Sequence, residues 1–341
     1  MMEWISNFVN TLPGAIILLL IGFVFLVKGA DFFVDGASSV AKKLHVPSII
    51  IGLTVVAMGT SLPETAVSVC ASMAGQNSLA VSNVVGSNIF NIMVVIGFCA
   101  LFASIAVDKD TLFRDFPFSV ACTILLLVTG IIGMSLGRVD GIIFLVIFVG
   151  YIVVLVLAAM KARREKLESI KANATGAADA GSGEDDGEEE IKNYPLWLCL
   201  IFIVGGGAAI ALGGDWVVDS ASTIARTFGL SETLIGLTIC SVGTSLPELV
   251  TSITAAKKND TGMALGNAVG SCIFNILMVL GLAAVISPVS FIMTNVIDIV
   301  ILLVFCAIVW LFSWTKKEIK RTEGIIMLLM YIAYIVYICI R

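Results

Sequence analysis

Two glutamates stand where their surroundings offer no water. Glu64 closes the run Gly59-Thr60-Ser61-Leu62-Pro63-Glu64, and Glu248 closes Gly243-Thr244-Ser245-Leu246-Pro247-Glu248; each lies midway along an apolar stretch. An ionisable side chain at mid-membrane depth costs about 2.5–3.5 kcal/mol on insertion scales. Two such carboxylates facing one another would repel, and one would protonate. A cation held between them removes both costs. Pro63 and Pro247 lack an N–H and clash with the carbonyl one turn earlier, so the helix is expected to break there. The break frees carbonyls around 57–60 and 241–244, and unwound backbone inside a membrane is tolerated only where it lines a cavity or is buried in protein. Carboxylates with carbonyls form an all-oxygen site for a hard cation, which suits Ca²⁺ and should fit Na⁺.

Neighbouring polar residues extend this set. Asn83, Ser87 and Asn91 follow at i, i+4, i+8 and share one helix face, as do Asn267, Ser271 and Asn275. Thr60, Glu64 and Ser68 share another, repeated by Thr244, Glu248 and Ser252. A single stripe of this kind in a membrane helix is commonly hydrogen-bonding glue. Beside a glutamate on a proline break, twice, pure packing is the weaker reading.

The repetition is itself a structural statement. Gly86-Ser87-Asn88-Ile89-Phe90-Asn91 recurs as Gly270-Ser271-Cys272-Ile273-Phe274-Asn275, at the offset of 184 that also separates Glu64 from Glu248. About 22 of 46 positions are identical between 52–97 and 236–281, so the two motifs keep one register. Gly29, Asp31 and Asp35 match Gly213, Asp215 and Asp219 more weakly, and Arg138-Val139-Asp140-Gly141 resembles Arg321-Thr322-Glu323-Gly324. The unit is then five spans. Five is odd, so the second copy enters the membrane from the other side, a plan common among secondary transporters with midplane sites.

The elements that must carry these residues follow from composition. The 341 residues are 59% hydrophobic and 13% charged, against about 25% charged in soluble domains. Runs long enough to cross a bilayer, about 20 residues, fall near 14–34, 47–74, 78–104, 115–135, 139–160, 195–217, 230–256, 261–287, 290–312 and 324–340. The expected fold is an all-α membrane protein of ten transmembrane helices in two inverted five-helix repeats, 1–160 and 194–341. Between them, 161–193 runs from Lys161 and Arg163 to Glu184–Glu190 and reads as a flexible solvated loop. Lys and Arg crowd the connections after spans 1, 3, 5, 7 and 9, which places that loop in the cytoplasm and both termini outside. Lys28, Asp31 and Asp35 read as residues snorkelling at the end of the first span. The Gly205-Gly206-Gly207 and Gly213-Gly214 clusters read as close helix packing, with a sliding surface as the alternative. The eight cysteines lie in apolar segments and form no CxxC pair; the lone His45 cannot build a zinc site. No basic patch points to nucleic acid.

At these residues the chain resembles the cation/calcium exchanger superfamily, GTSLPE and GSNIFN matching its first α-repeat and GTSLPE and GSCIFN its second. The likeness covers nearly the whole chain and is nearest the prokaryotic sodium/calcium exchanger branch, because the central loop is short. It implies a sodium/calcium antiporter in the inner membrane of a prokaryote, not an enzyme, with Ca²⁺ and Na⁺ as cargo, lipid as its surroundings, no cofactor and no obligatory protein partner. It implies that Glu64 and Glu248 bind calcium, that Thr60 and Thr244 contribute backbone carbonyls, and that Ser61, Ser87, Asn91, Ser245, Ser271 and Asn275 line sodium positions. Potassium-dependent members carry Asp where this chain has Asn275, which weakens a potassium-coupled reading. A proton-coupled divalent exchanger of the same fold is the runner-up, and a passive channel is less favoured.

Overall fold

The computed structural model describes residues 11–73, 77–176, 194–228 and 241–340. Helix α1 (Leu12–Leu44) starts on Thr11, whose hydroxyl accepts from the Gly14 N–H, and stops at His45 in the left-handed region. A broken span follows: α2 (Ser48–Thr60) and α3 (Leu62–Met73) meet at a 49° bend measured against Leu62–Val69. Helix α4 runs through Asn77–Phe90, a π-helical turn at Asn91–Val95, and Ile96–Phe102. Then come α5 (Thr111–Ile131), α6 (Arg138–Gly176) and α7 (Leu196–Thr227). One turn, α8 (Ser241–Gly243), precedes α9 (Leu246–Lys257). Helix α10 repeats the plan of α4, with Thr261–Phe274, a π turn at Asn275–Val279, and Leu280–Ile286. Helices α11 (Met293–Lys316) and α12 (Arg321–Ile340) complete the chain.

Eight described helices are long and apolar enough to cross a membrane, and the bent α2–α3 pair makes a ninth. The span expected over 230–256 is described only from residue 241 onward. Two helices form the centre. The apolar windows of α4 and α10 are 83% and 78% buried, whereas those of the six other long unbroken spans are at most 44% buried. The outer helices turn Leu20, Val24, Val146, Val204 and Leu329 outward, as lipid contact requires.

Glycines set the closest approaches. A methyl built on Gly29 would lie 2.9 Å from the Gly206 carbonyl oxygen, and one on Gly206 would lie 2.7 Å from that of Gly29. Helices α1 and α7 therefore touch backbone to backbone. Within the two glycine clusters it is Gly206 and Gly213 that make these close approaches, whereas Gly205 has nothing within 4 Å.

Short strands tie distant connections together. β1 (Ile105–Ala106) pairs antiparallel with β4 (Glu318–Ile319), and β2 (Ser135–Leu136) with β3 (Val289–Ser290). The first pair joins the connections after the third and ninth spans; the second joins those after the fourth and eighth. Ser48 Oγ also donates to Asp260, and the Tyr194 N–H donates to Ser39 Oγ. Lys257 Nζ lies 4.7 Å from the Phe102 ring centroid, which joins these two groups, so the odd-numbered connections gather at one end of the bundle.

Two local expectations need correction. The loop expected from residue 161 is helical as far as Gly176, and Lys161–Glu165 and Arg164–Glu168 form i,i+4 ion pairs along it. Low hydrophobicity keeps that segment out of lipid, but Lys, Arg, Glu and Ala are good helix formers and the charge pairs support the extension. The acidic run 184–190 lies outside the described residues. Asp31 and Asp35 do more than snorkel. Lys258 Nζ donates to Asp35 Oδ1 at 2.8 Å and to the Asp31 carbonyl at 3.0 Å, so α1 is ionically fastened to the α9–α10 connection.

Candidate functional site

The proline breaks place both glutamates as expected. Ser61 leaves helical geometry (φ −87°, ψ 13°) and α3 begins after it, with Glu64 in its first turn. Ser245 has nearly the same conformation (φ −93°, ψ 6°), with Glu248 in the first turn of α9. A helix N-terminus favours a carboxylate, because its N–H groups and dipole present positive charge. Without an N–H on Pro63 and Pro247, the carbonyls of Gly59 and Gly243 have no helical partner four residues on.

The two breaks interlock. Ser61 Oγ donates to Glu248 Oε1 at 2.8 Å, and Ser245 Oγ donates to Glu64 Oε1 at 3.1 Å. Each carboxylate is therefore held by the serine of the other half, not by the serine three residues before it. Thr60 and Ser271 flank Glu248, and Thr244 flanks Glu64. Both glutamates, both serines, Ser87, Ser271, Asn91 and Asn275 are fully buried, and Thr60 nearly so.

Buried polar atoms are almost always hydrogen-bonded, and each exception needs an explanation. Thirteen buried side-chain polar atoms have no partner among the described residues, and seven of them belong to six of the expected ligands. They are Glu64 Oε2, Glu248 Oε2, Ser87 Oγ, Ser271 Oγ, Asn275 Oδ1 and both amide atoms of Asn91. The donor set is carboxylate, hydroxyl and amide oxygen. Among the described residues no group of three or more His, Cys, Asp or Glu side chains could hold a metal. Two carboxylates with neutral oxygens suit an exchangeable hard ion better than a resident transition metal.

The flanking stripes act as the frame. Asn83 Nδ2 donates to Ser68 Oγ at 3.1 Å, clamping α4 to α3. Asn267 Nδ2 donates to Ser252 Oγ at 2.8 Å and to the Glu248 carbonyl at 3.3 Å, clamping α10 to α9. The Thr60 hydroxyl is 3.1 Å from both the Val56 carbonyl and Asn267 Oδ1. Asn88, to which sequence reasoning gave no role of its own, sits in the same core and bridges to Cys272 and Asn275. The signal that could have singled it out is the one mismatch inside the repeated motif, Asn88 against Cys272.

A narrow cleft borders the site, lined by Phe33, Gly59, Thr60, Pro63, Gly207 and Pro247 among others. The buried Phe33 ring of α1 packs over Gly59 and Gly207. Helices α1 and α7 therefore cover the two breaks.

A sequence model of the family described as sodium/calcium exchanger protein matches residues 14–157 and 198–340. The chain is 33% identical over 344 residues to the sodium/calcium exchanger MaX1 of Methanosarcina acetivorans, covering 94% of this chain and 97% of the relative. It is 37% identical over 276 residues to the inner membrane protein YrbG of Escherichia coli, covering 80% and 79%. A solved structure of the sodium-calcium exchanger NCX_Mj, soaked with 2.5 mM Na⁺ and 10 mM Sr²⁺, matches with a TM-score of 0.79 at 28% identity, covering 96% of this chain and 99% of that one.

Proposed function

The chain belongs to the sodium/calcium exchanger protein family, and from that premise we propose that it exchanges sodium for calcium at a buried site built on Glu64 and Glu248. Its relatives are transporters, and this chain is a multi-pass membrane protein. The observation that carries the proposal is the crossed pairing of Ser61 with Glu248 and Ser245 with Glu64, which leaves one oxygen of each carboxylate without a partner.

Ser61, Ser245, Ser87, Ser271, Asn91 and Asn275 supply the remaining side-chain ligands, and Thr60 and Thr244 supply carbonyls. With both carboxylates ionised, one Ca²⁺ balances the site, and so do two or more Na⁺. The ions compete for shared oxygens and cannot fully occupy the site together. A loaded site is near neutral and can pass between its two exposures; an empty one would bury net negative charge, which resists the change. Asn at both 91 and 275 keeps the site at two carboxylates, which weakens a potassium-coupled cycle.

The architecture we propose is ten spans in two inverted halves, 1–160 and 194–341, joined by 161–193. The crossed pairs support it, since each half completes the other, and so does the gathering of odd-numbered connections at one end. The Lys/Arg bias puts that end in the cytoplasm of a prokaryotic cell, with both termini outside. Helices α1 and α7, which cover the breaks, are the elements that expose the site to each side in turn.

The test is calcium uptake into proteoliposomes driven by an outward sodium gradient. Glu64→Gln should abolish it; normal exchange in that variant would refute the site. Uptake driven equally well by a pH gradient without sodium would instead favour the proton-coupled runner-up.

A further inference from the structure

We infer that Asn88 is a positioning residue that locks the Asn275 amide with its oxygen toward the ions, and thereby sets which residue types position 275 accepts. The inference rests on the ion site proposed above. It starts from an assignment that a backbone atom makes unambiguous. A peptide carbonyl can only accept, so the Asn88 atom 3.1 Å from the Cys272 carbonyl must be Nδ2. The other end of the same amide, Oδ1, must then accept, and the Asn275 atom 3.1 Å from it must be Nδ2. That leaves Asn275 Oδ1 as the end with no partner, fully buried. Two hydrogen bonds running from one carbonyl therefore fix an oxygen, not an N–H, as the unpartnered end of Asn275.

The other half lacks this device. The position equivalent to Asn88 is Cys272, whose thiol is turned to the Asn88 carbonyl at 3.7 Å. Asn91, the equivalent of Asn275, has both amide atoms without a partner. Two asparagines that are identical in the repeat are thus unequal in space: Asn275 is oriented and Asn91 is free to turn over. The same geometry disfavours a carboxylate at 275. Such a group would set an acceptor oxygen against Asn88 Oδ1, and Asn88 could turn over to donate only by losing its bond to Cys272. Asn88 thereby holds the site at two carboxylates.

The experiment compares Asn88→Leu, Asn88→Asp, Asn275→Ala and the pair Asn88→Leu/Asn275→Ala in sodium-driven calcium uptake, with KM and maximal rate read separately. Leu keeps the branched shape of Asn88 but removes both the donor and the acceptor. It should raise the calcium KM about fivefold, the worth of one net hydrogen bond. Asn275→Ala should do the same, and the pair should be no worse than either alone. A protonated Asp at 88 carries one O–H for the Cys272 carbonyl and one oxygen for Asn275, so it should restore KM to about twofold of the parent value. A lower maximal rate with unchanged KM in Asn88→Leu, or effects that multiply in the pair, overturns the assignment. A second arm does not need Asn88→Leu to fold. Asn275→Asp should lose exchange, and Asn88→Ser, whose hydroxyl can donate, should restore part of it in the double variant. Full activity of Asn275→Asp, or no restoration by Ser, also overturns the assignment. Glu64→Gln in the same series separates the two readings: exchange that survives it removes the glutamate site, whereas its loss with unmoved KM in Asn88→Leu removes only the role of Asn88.

Discussion

Ser61 should act on Glu248, 187 residues away, more than on Glu64, three residues away. Its hydroxyl donates to Glu248 Oε1 at 2.8 Å, and both groups are fully buried. A hydrogen bond to a charged group contributes about 1.5–3 kcal/mol. Ser61→Ala should therefore raise the calcium KM by about 10- to 150-fold. The crossed geometry is tested by shortening each carboxylate while keeping its charge. Glu248→Asp withdraws the acceptor by one methylene, so Ser61→Ala should be nearly silent in that background. In the Glu64→Asp background it should keep its full effect. Initial rates of labelled calcium uptake into sodium-loaded proteoliposomes give both cycles, and melting temperatures of the purified variants screen for misfolding. Equal coupling of Ser61 to both carboxylates, or coupling confined to Glu64, would show that the crossed pairing is wrong.

Other perturbations separate packing from ion chemistry. Gly206→Val pushes a side chain toward the Gly29 carbonyl and should cost about 1–3 kcal/mol by overpacking, read as a lower melting temperature and slower exchange. Gly205 has nothing within 4 Å of the same construction, so Gly205→Val should change stability by no more than about 0.5 kcal/mol. Lys258 fastens α1 through Asp31 and Asp35, but its side chain is one-third exposed. Its removal in Lys258→Ala should therefore shift the balance between the two exposures only about twofold. That shift should fade at high ionic strength, as measured by exchange rates at two salt concentrations.

Much of the candidate site was legible because its signals are local and repeated. A glutamate inside an apolar run is visible without coordinates, and so is the proline that breaks the helix just before it. The constant offset of 184 showed that the two copies of Gly-Thr-Ser-Leu-Pro-Glu belong to equivalent elements. Helix ends were less legible. Helix α1 runs ten residues beyond the expected boundary at 34, because Ala37, Ser38, Ser39 and Ala41 are buried against the rest of the protein, a burial that hydropathy alone cannot see. Helix α6 continues past residue 160 because leaving lipid does not oblige a chain to leave helical geometry.

Composition, the repeat and the two buried acids were settled by the order of residues, since hydropathy and self-similarity belong to the chain itself. Tertiary structure alone decided which serine serves which carboxylate, that Asn88 rather than Asn91 gains an amide partner, and that Lys258 reaches α1. The physical reason is range: each of these contacts joins residues about 180 or more positions apart. At that separation partners are chosen by how whole helices pack, and no spacing along the chain encodes the choice.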